Sequence, residues 1–242
     1  SYSNISSNGG GVAITSNTGY SVKINNNIFD NNSYSGYPRW GSAIVVTKTC
    51  ENNWITPYEC IEDNNVDIFE NTFTNNKIPG PYSEVFGGVI TGGKNVFNNY
   101  FSDNAVTANQ SIHGGAIYKS ANIYNNVIQN NNSYGNFTGG GIDGAVNVYH
   151  NIIKNNGNNG GSGGGVANST NVHHNVISGN IAKSGGGVYG GTTINNNIVV
   201  YNSDEYLGAV ASENISNNSI YKNNSLTGRI IYAFTKANNN TL

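Results

Sequence analysis

At successive intervals of 44, 28, 27, 25, 24, 22, 21 and 22 residues, one short phrase returns along this chain. It reads aliphatic, two variable residues, Asn, one variable residue, apolar, two variable residues, Asn; the first copy is Ile24-Asn25-Asn26-Asn27-Ile28-Phe29-Asp30-Asn31-Asn32. The first asparagine column is Asn27, Asn71, Asn99, Asn126, Asn151, Asn175, Asn197 and Asn218, and Asn240 begins a further copy. The second is Asn32, Asn76, Asn104, Asn131, Asn156, Asn180, Asn202 and Asn223. Ile24, Ile68, Val96, Ile123, Val148, Val172, Ile194 and Ile215 stand three residues before the first column, and Phe29, Phe73, Phe101, Ile128, Ile153, Ile177, Val199 and Ile220 two residues after it. A repeat this short cannot bury its own apolar face and must stack on its neighbours.

A further column precedes each phrase, usually after Gly-Gly: Val12, Ala43, Val89, Ala116, Ile142, Val166, Val188, Val210 and Ile231. Each repeat thus offers three short segments separated by bends. Segments of this length pair with their equivalents one rung on, at a strand spacing of ~4.8 Å. Parallel crossovers are right-handed almost without exception. The expected fold is all-β: a single right-handed parallel β-helix of about nine rungs, three short strands per rung, with internal asparagine ladders. The asparagines belong at the bends, where they tolerate left-handed backbone, and their amides bond from rung to rung. One domain spans residues 1–242, with loop insertions expected at 33–40, 46–65 and 77–86.

This regularity overrides a composition that would otherwise read as disorder, with hydrophobic residues at 36% and charged ones at 10%. Net charge is −2 and only Arg39 and Arg229 are arginines, so the basic footprint of a nucleic-acid binder is missing. No apolar run is long enough to span a membrane as a helix. The chain opens on Ser1 and contains no Met, so it reads as a processed or excised product. Cys50 and Cys60 close one loop and read as a disulfide in an oxidising, extracellular setting, two free thiols being the alternative.

The repeats resemble those of the pectate-lyase-like superfamily of right-handed parallel β-helices. Their Asn-rich, Gly-Gly-punctuated, charge-poor style is most similar to adhesin-like surface proteins of methanogenic archaea. The resemblance implies a surface or filament module, and it equally admits lyases and hydrolases, because one fold hosts many functions.

Chemistry is expected in the segment between Tyr37 and Tyr82, which holds both Trp, both Cys and all four Pro. Tyr37, Trp40, Trp54, Tyr58 and Tyr82 offer flat faces to a surface glycan or a partner, or else form a loop mini-core. Glu62, Asp63 and Asp67 are oxygen donors suited to calcium, the one cofactor the acids admit; plain solvated charge is the alternative. Outside the loops, Asp143 is the acid expected on an exposed strand, without a second carboxylate across the neighbouring rungs. Inverting hydrolysis needs two. His150 and His174 occupy one rung position on consecutive turns with His173 beside them, either a two-imidazole metal site or a surface stack. Of ten Asn-x-Ser/Thr sequons, Asn109 and Asn136 read as loop glycosylation sites, whereas Asn131 and Asn223 belong to a ladder and should stay bare.

The functional expectation is a non-enzymatic extracellular or cell-surface module. It associates end to end with copies of itself or continues into a longer chain, and its phrase restarts at Asn240. The alternative is a polysaccharide lyase, glycoside hydrolase or glycan-binding module with its site near the Cys50–Cys60 loop.

Overall fold

The computed structural model describes residues 11–16, 21–33, 41–48, 65–80, 84–107, 111–135 and 139–242. They form strands, turns and bends and no helix, and the pairing between successive rungs is parallel. The molecule is the parallel β-helix expected from the repeat.

Four strand segments per rung are gathered into three main sheets. The Gly-Gly segment runs from Val12–Ser16 through Ile117–Tyr118 to Ile231–Asn238, and the aliphatic segment from Val22–Asn25 through Asn122–Tyr124. Val210–Ser216 passes through both, which joins them into one 16-stranded sheet. The apolar segment after the first asparagine forms an eight-stranded sheet, from Ile28–Asp30 to Ser219–Tyr221. The segment after the second asparagine adds a seven-stranded sheet, from Lys77–Ile78 to Asn224–Ser225. Seven rungs therefore contribute to every main sheet, and the rungs at either end contribute in part. The strands Lys77–Ile78 and Glu84–Phe86 lie inside the stretch 77–86 expected as loop, and Ile44–Lys48 runs into the start of 46–65.

The inward positions form the core. Ile68, Val96, Ile123, Val148, Val172 and Ile194 stack at full burial, as do Phe73, Phe101, Ile128, Ile153, Ile177 and Val199 on the facing wall. Each such side chain contributes about 1.5–3 kcal/mol by leaving water. The Gly-Gly column differs from expectation in three rungs. The residues in register with Val12 and Ile142 are Ile44, Ile90 and Ile117, and Ala43, Val89 and Ala116 fall one position earlier. Their amides donate across the rungs, Val89 to Ala116 and Ala116 to Gly141. This corner is crowded: a Cβ at Gly115 would stand 1.9 Å from the Gly140 carbonyl oxygen. Gly or a small apolar residue is what the corner accepts.

The ladders are continuous and directional. Each first-column Nδ2 donates to the Oδ1 one rung towards the C-terminus at 3.0–3.1 Å, from Asn27 to Asn240. The second column does the same at 2.7–3.1 Å, from Asn32 to Asn223. The backbone N–H of the same residue donates to that same Oδ1, as Asn126 does to Asn151 at 3.0 Å. Most second-column Nδ2 atoms also reach one carbonyl, as Asn156 does to Ile128 at 2.9 Å, and each first-column Nδ2 from Asn71 to Asn218 reaches two, as Asn126 does to Tyr124 and Val96, both at 2.9 Å. Two hydrogens serve three acceptors, so one bond is shared. Asn131 is fully buried in its ladder, as its sequon assignment anticipated, whereas Asn223 at the ladder's end is only half-buried.

The ladder asparagines are not the left-handed residues. The positive φ falls one residue earlier, at Asn26, Asn98, Asn125, His150, His174, Asn196 and Asn217 in one column and at Asn31, Asn75, Asn130 and Asn155 in the other. The left-handed residue turns the chain, and the turn aims the next side chain inward, where its amide takes over the backbone bonds that the corner gives up. Two adjacent positions divide what the sequence reading assigned to one.

Candidate functional site

Most of the expected site lies outside the described residues: Tyr37, Trp40, Trp54, Tyr58, Tyr82, Glu62, Asp63, Cys50, Cys60, Asn109 and Asn136. Asp67 is described. It sits on the second strand segment opposite Lys23, and its Oδ1 accepts a bond of 2.7 Å from Asn95 Nδ2. It heads an outer amide row in which Asn122 donates to Asn95, Asn147 to Asn122 and Asn171 to Asn147, at 2.8–3.0 Å. A carboxylate only accepts, so it suits the end towards which every amide of this row donates.

Beside that row runs a stack of rings. Phe69, Phe97, Tyr124, Tyr149 and His173 lie one above another with centroids 4.9–5.2 Å apart and planes within 8°. Alternation puts them outward, next to the inward aliphatic column. Their faces cover one another, so this wall presents ring edges.

Asp143 is not exposed. It is 1% accessible, and its Oδ2 lies 3.1 Å from His113 Nδ1. Asn168 Nδ2 donates to its Oδ1 at 2.9 Å, and the His113 ring leans on Tyr118 with centroids 5.3 Å apart. His113 comes from the short strand Ser111–His113, which pairs with Glu84–Phe86 just ahead of the Gly-Gly segment. Ile112 and Val85 of that pair form a satellite core with Ile78 and Val106. The carboxylate on Nδ1 holds the imidazole in the tautomer protonated there, the arrangement by which an acid orients a histidine base. The sequence carried one signal for this cluster: Asp143 is the single acid between Asp103 and Asp204.

The other histidines gather on one corner. His150 and His174 both take left-handed φ, 55° and 57°, and His150 N–H donates to the His174 carbonyl at 3.1 Å. Their rings meet at 64° with centroids 5.6 Å apart. His173 Nδ1 and His174 Nδ1 stand 2.9 Å apart. Partial burial, then the neighbouring His174 and His150, hold the His173 pKa below its ordinary value. Among the described residues no three His, Cys, Asp or Glu side chains surround a common point.

Asp204 is a second buried carboxylate. Its Oδ2 accepts from Gly208 N–H at 2.6 Å and closes the turn that follows. Burial pushes its pKa up, against the backbone and Ser225 bonds that pull it down.

Among the described residues no helix is long and apolar enough to cross a membrane. No protein-family model matches this chain, and no curated protein or solved structure does.

Proposed function

We propose that the chain is a non-enzymatic structural segment of an extracellular, adhesin-like shaft to which further rungs add end to end. The observation that carries this is the direction of the two inner ladders. Every rung shows Oδ1 acceptors on one side and N–H donors on the other. A following rung, whether from continuing sequence or from another copy, therefore meets complementary groups. Such a contact is heterologous and does not close, so it builds filaments. The resemblance to archaeal adhesin-like repeats, the low charge and the Cys50–Cys60 pair support an extracellular place, and loop sequons such as Asn109 and Asn136 support glycosylation there.

The test is electron microscopy of the purified chain over rising concentration. Filaments one solenoid wide, shortened by Asn240→Asp, are the expected result. Dispersed monomers at high concentration count against the reading.

One observation favours a second reading, a carbohydrate-active site: the buried Asp143–His113 pair. Depolymerisation of an acidic polysaccharide, with and without calcium, that disappears in His113→Gln would establish it in place of the first.

A further inference from the structure

Consecutive residues of a strand point to opposite faces, so two neighbouring imidazoles do not ordinarily meet. Here they do. His173 ends the strand Asn171–His173, and His174 takes the left-handed corner with φ 57°. That turn swings the second ring against the first at 89°, with centroids 5.2 Å apart. The first ring is held from behind: it stacks on Tyr149 with planes 7° apart and centroids at 5.2 Å, the end of the five-ring column. The two Nδ1 atoms stand 2.9 Å apart.

That separation is the one a metal ion asks for. Two imidazole nitrogens each ~2.05 Å from one ion and ~90° apart are themselves ~2.9 Å apart. We infer that His173 and His174 form a cis bis-imidazole site for a tetragonal divalent transition metal, Cu(II) ahead of Ni(II). Imidazole suits these ions, and the affinity order of the divalent series places Cu(II) first. Water fills the remaining positions, since His174 is exposed. His150 borders the site from the preceding rung, and its ring packs on His174 rather than joining the pair.

The protons balance. Without metal, one Nδ1–H donates to the other Nδ1. With metal, both Nδ1 lone pairs are needed, so the donor ring shifts its proton to Nε2 through solvent and the neutral pair loses none. What the protein supplies is preorganisation: a stacked ring and a fixed corner hold the two nitrogens together in advance.

The fold itself provides conservative variants. Asn195 stands in register with His173, and Asn196 takes the left-handed corner that His174 takes one rung earlier. His173→Asn and His174→Asn therefore place at each position a residue that the next rung already carries. The experiment is a titration of the whole chain with Cu(II), followed by calorimetry and by electron paramagnetic resonance. The expected result is one bound equivalent with hyperfine splitting from two nitrogens. Each Asn variant should weaken binding by about tenfold or more, with circular dichroism unchanged. His113→Asn, on a different wall, should leave it as it was. Absence of the one-equivalent signal overturns the inference. So does its persistence in the double variant, or its loss in His113→Asn.

Discussion

The same two devices, a row of asparagines and a stack of rings, occur both inside and outside the helix, and they do different things in the two places. Inside, Asn99, Asn126, Asn151 and Asn175 are 1–3% accessible, and each amide nitrogen serves three acceptors. Outside, Asn95, Asn122, Asn147 and Asn171 are half-buried and show one amide bond per step. The two rows also run in opposite directions. The inner amides donate towards the C-terminal rungs and the outer ones towards the N-terminal rungs, where Asp67 receives the last bond. The rings repeat the contrast. Phe29, Phe73 and Phe101 stack inside at 4.7–4.9 Å, while Phe69, Phe97 and Tyr124 stack outside at 4.9 Å. Geometry is nearly shared, so solvent makes the difference. An inner amide that loses a partner has no water to turn to, whereas an outer one has.

Substitution by Asp tests this most sharply. Asn126→Asp removes the donors to Val96, Tyr124 and Asn151 and sets a carboxylate among acceptors at 1% exposure. It should cost about 3–5 kcal/mol, the range for an uncompensated buried charge. Asn122→Asp, four residues earlier on the outer face, should cost within ~1 kcal/mol. Denaturant unfolding of both variants measures the gap, and equal losses would break the distinction between the rows.

The rings give a smaller gap of the same sign. Phe101→Ala opens a cavity in the core and should cost about 3–5 kcal/mol, with thermal unfolding as the readout. Phe97→Ala loses a half-exposed stacking contact, worth about 0.5–1.5 kcal/mol.

Next comes the pair of adjacent asparagines. Asn125→Ala places a Cβ-bearing residue without a local hydrogen bond at φ 55° and should cost about 1–2 kcal/mol, whereas Asn125→Gly should be near neutral. A larger loss from Asn125→Gly than from Asn125→Ala would show that the corner side chain, rather than its backbone, matters.

The smallest effect separates two carboxylates. Burial raises the Asp204 pKa above its ordinary 3.8. Its contribution to stability is therefore complete below that value and declines as pH rises through the folded pKa. Asp204→Asn should gain on the wild type at neutral pH and lose that gain near pH 3, judged by melting temperature. Exposed Asp30, hydrogen-bonded by Thr74 and then Asn75, has its pKa lowered. Its contribution is present above 3.8 and is lost as pH falls through the folded value. NMR titration should find Asp204 above and Asp30 below the ordinary carboxyl range.

The inward columns were legible because burial is unforgiving: Ile123 or Asn126 cannot vary without a cost of kilocalories, so the phrase recurs without a break. The register of the Gly-Gly segment was less legible. Ala43, Val89 and Ala116 are apolar like their neighbours, and only the pairing of Ile44, Ile90 and Ile117 shows which residue aligns with Ile142. The outer amide row was readable in principle, since Asp67, Asn95, Asn122 and Asn147 recur at the phrase spacing. Outward positions tolerate Lys23 and Thr193 as well, which weakens the pattern.

By itself the sequence determined the parallel β-helix, the two inner ladders and their membership. Those follow from a one-dimensional period, because each rung contacts chiefly the rungs on either side of it. Tertiary structure alone decided the rest. It set the direction of each ladder, because an amide's orientation depends on which carbonyls surround it. It buried Asp143 under His113, because the strand Ser111–His113 stands outside the repeat. It also brought His173 Nδ1 to His174 Nδ1, because a left-handed corner undoes the alternation that a strand would impose.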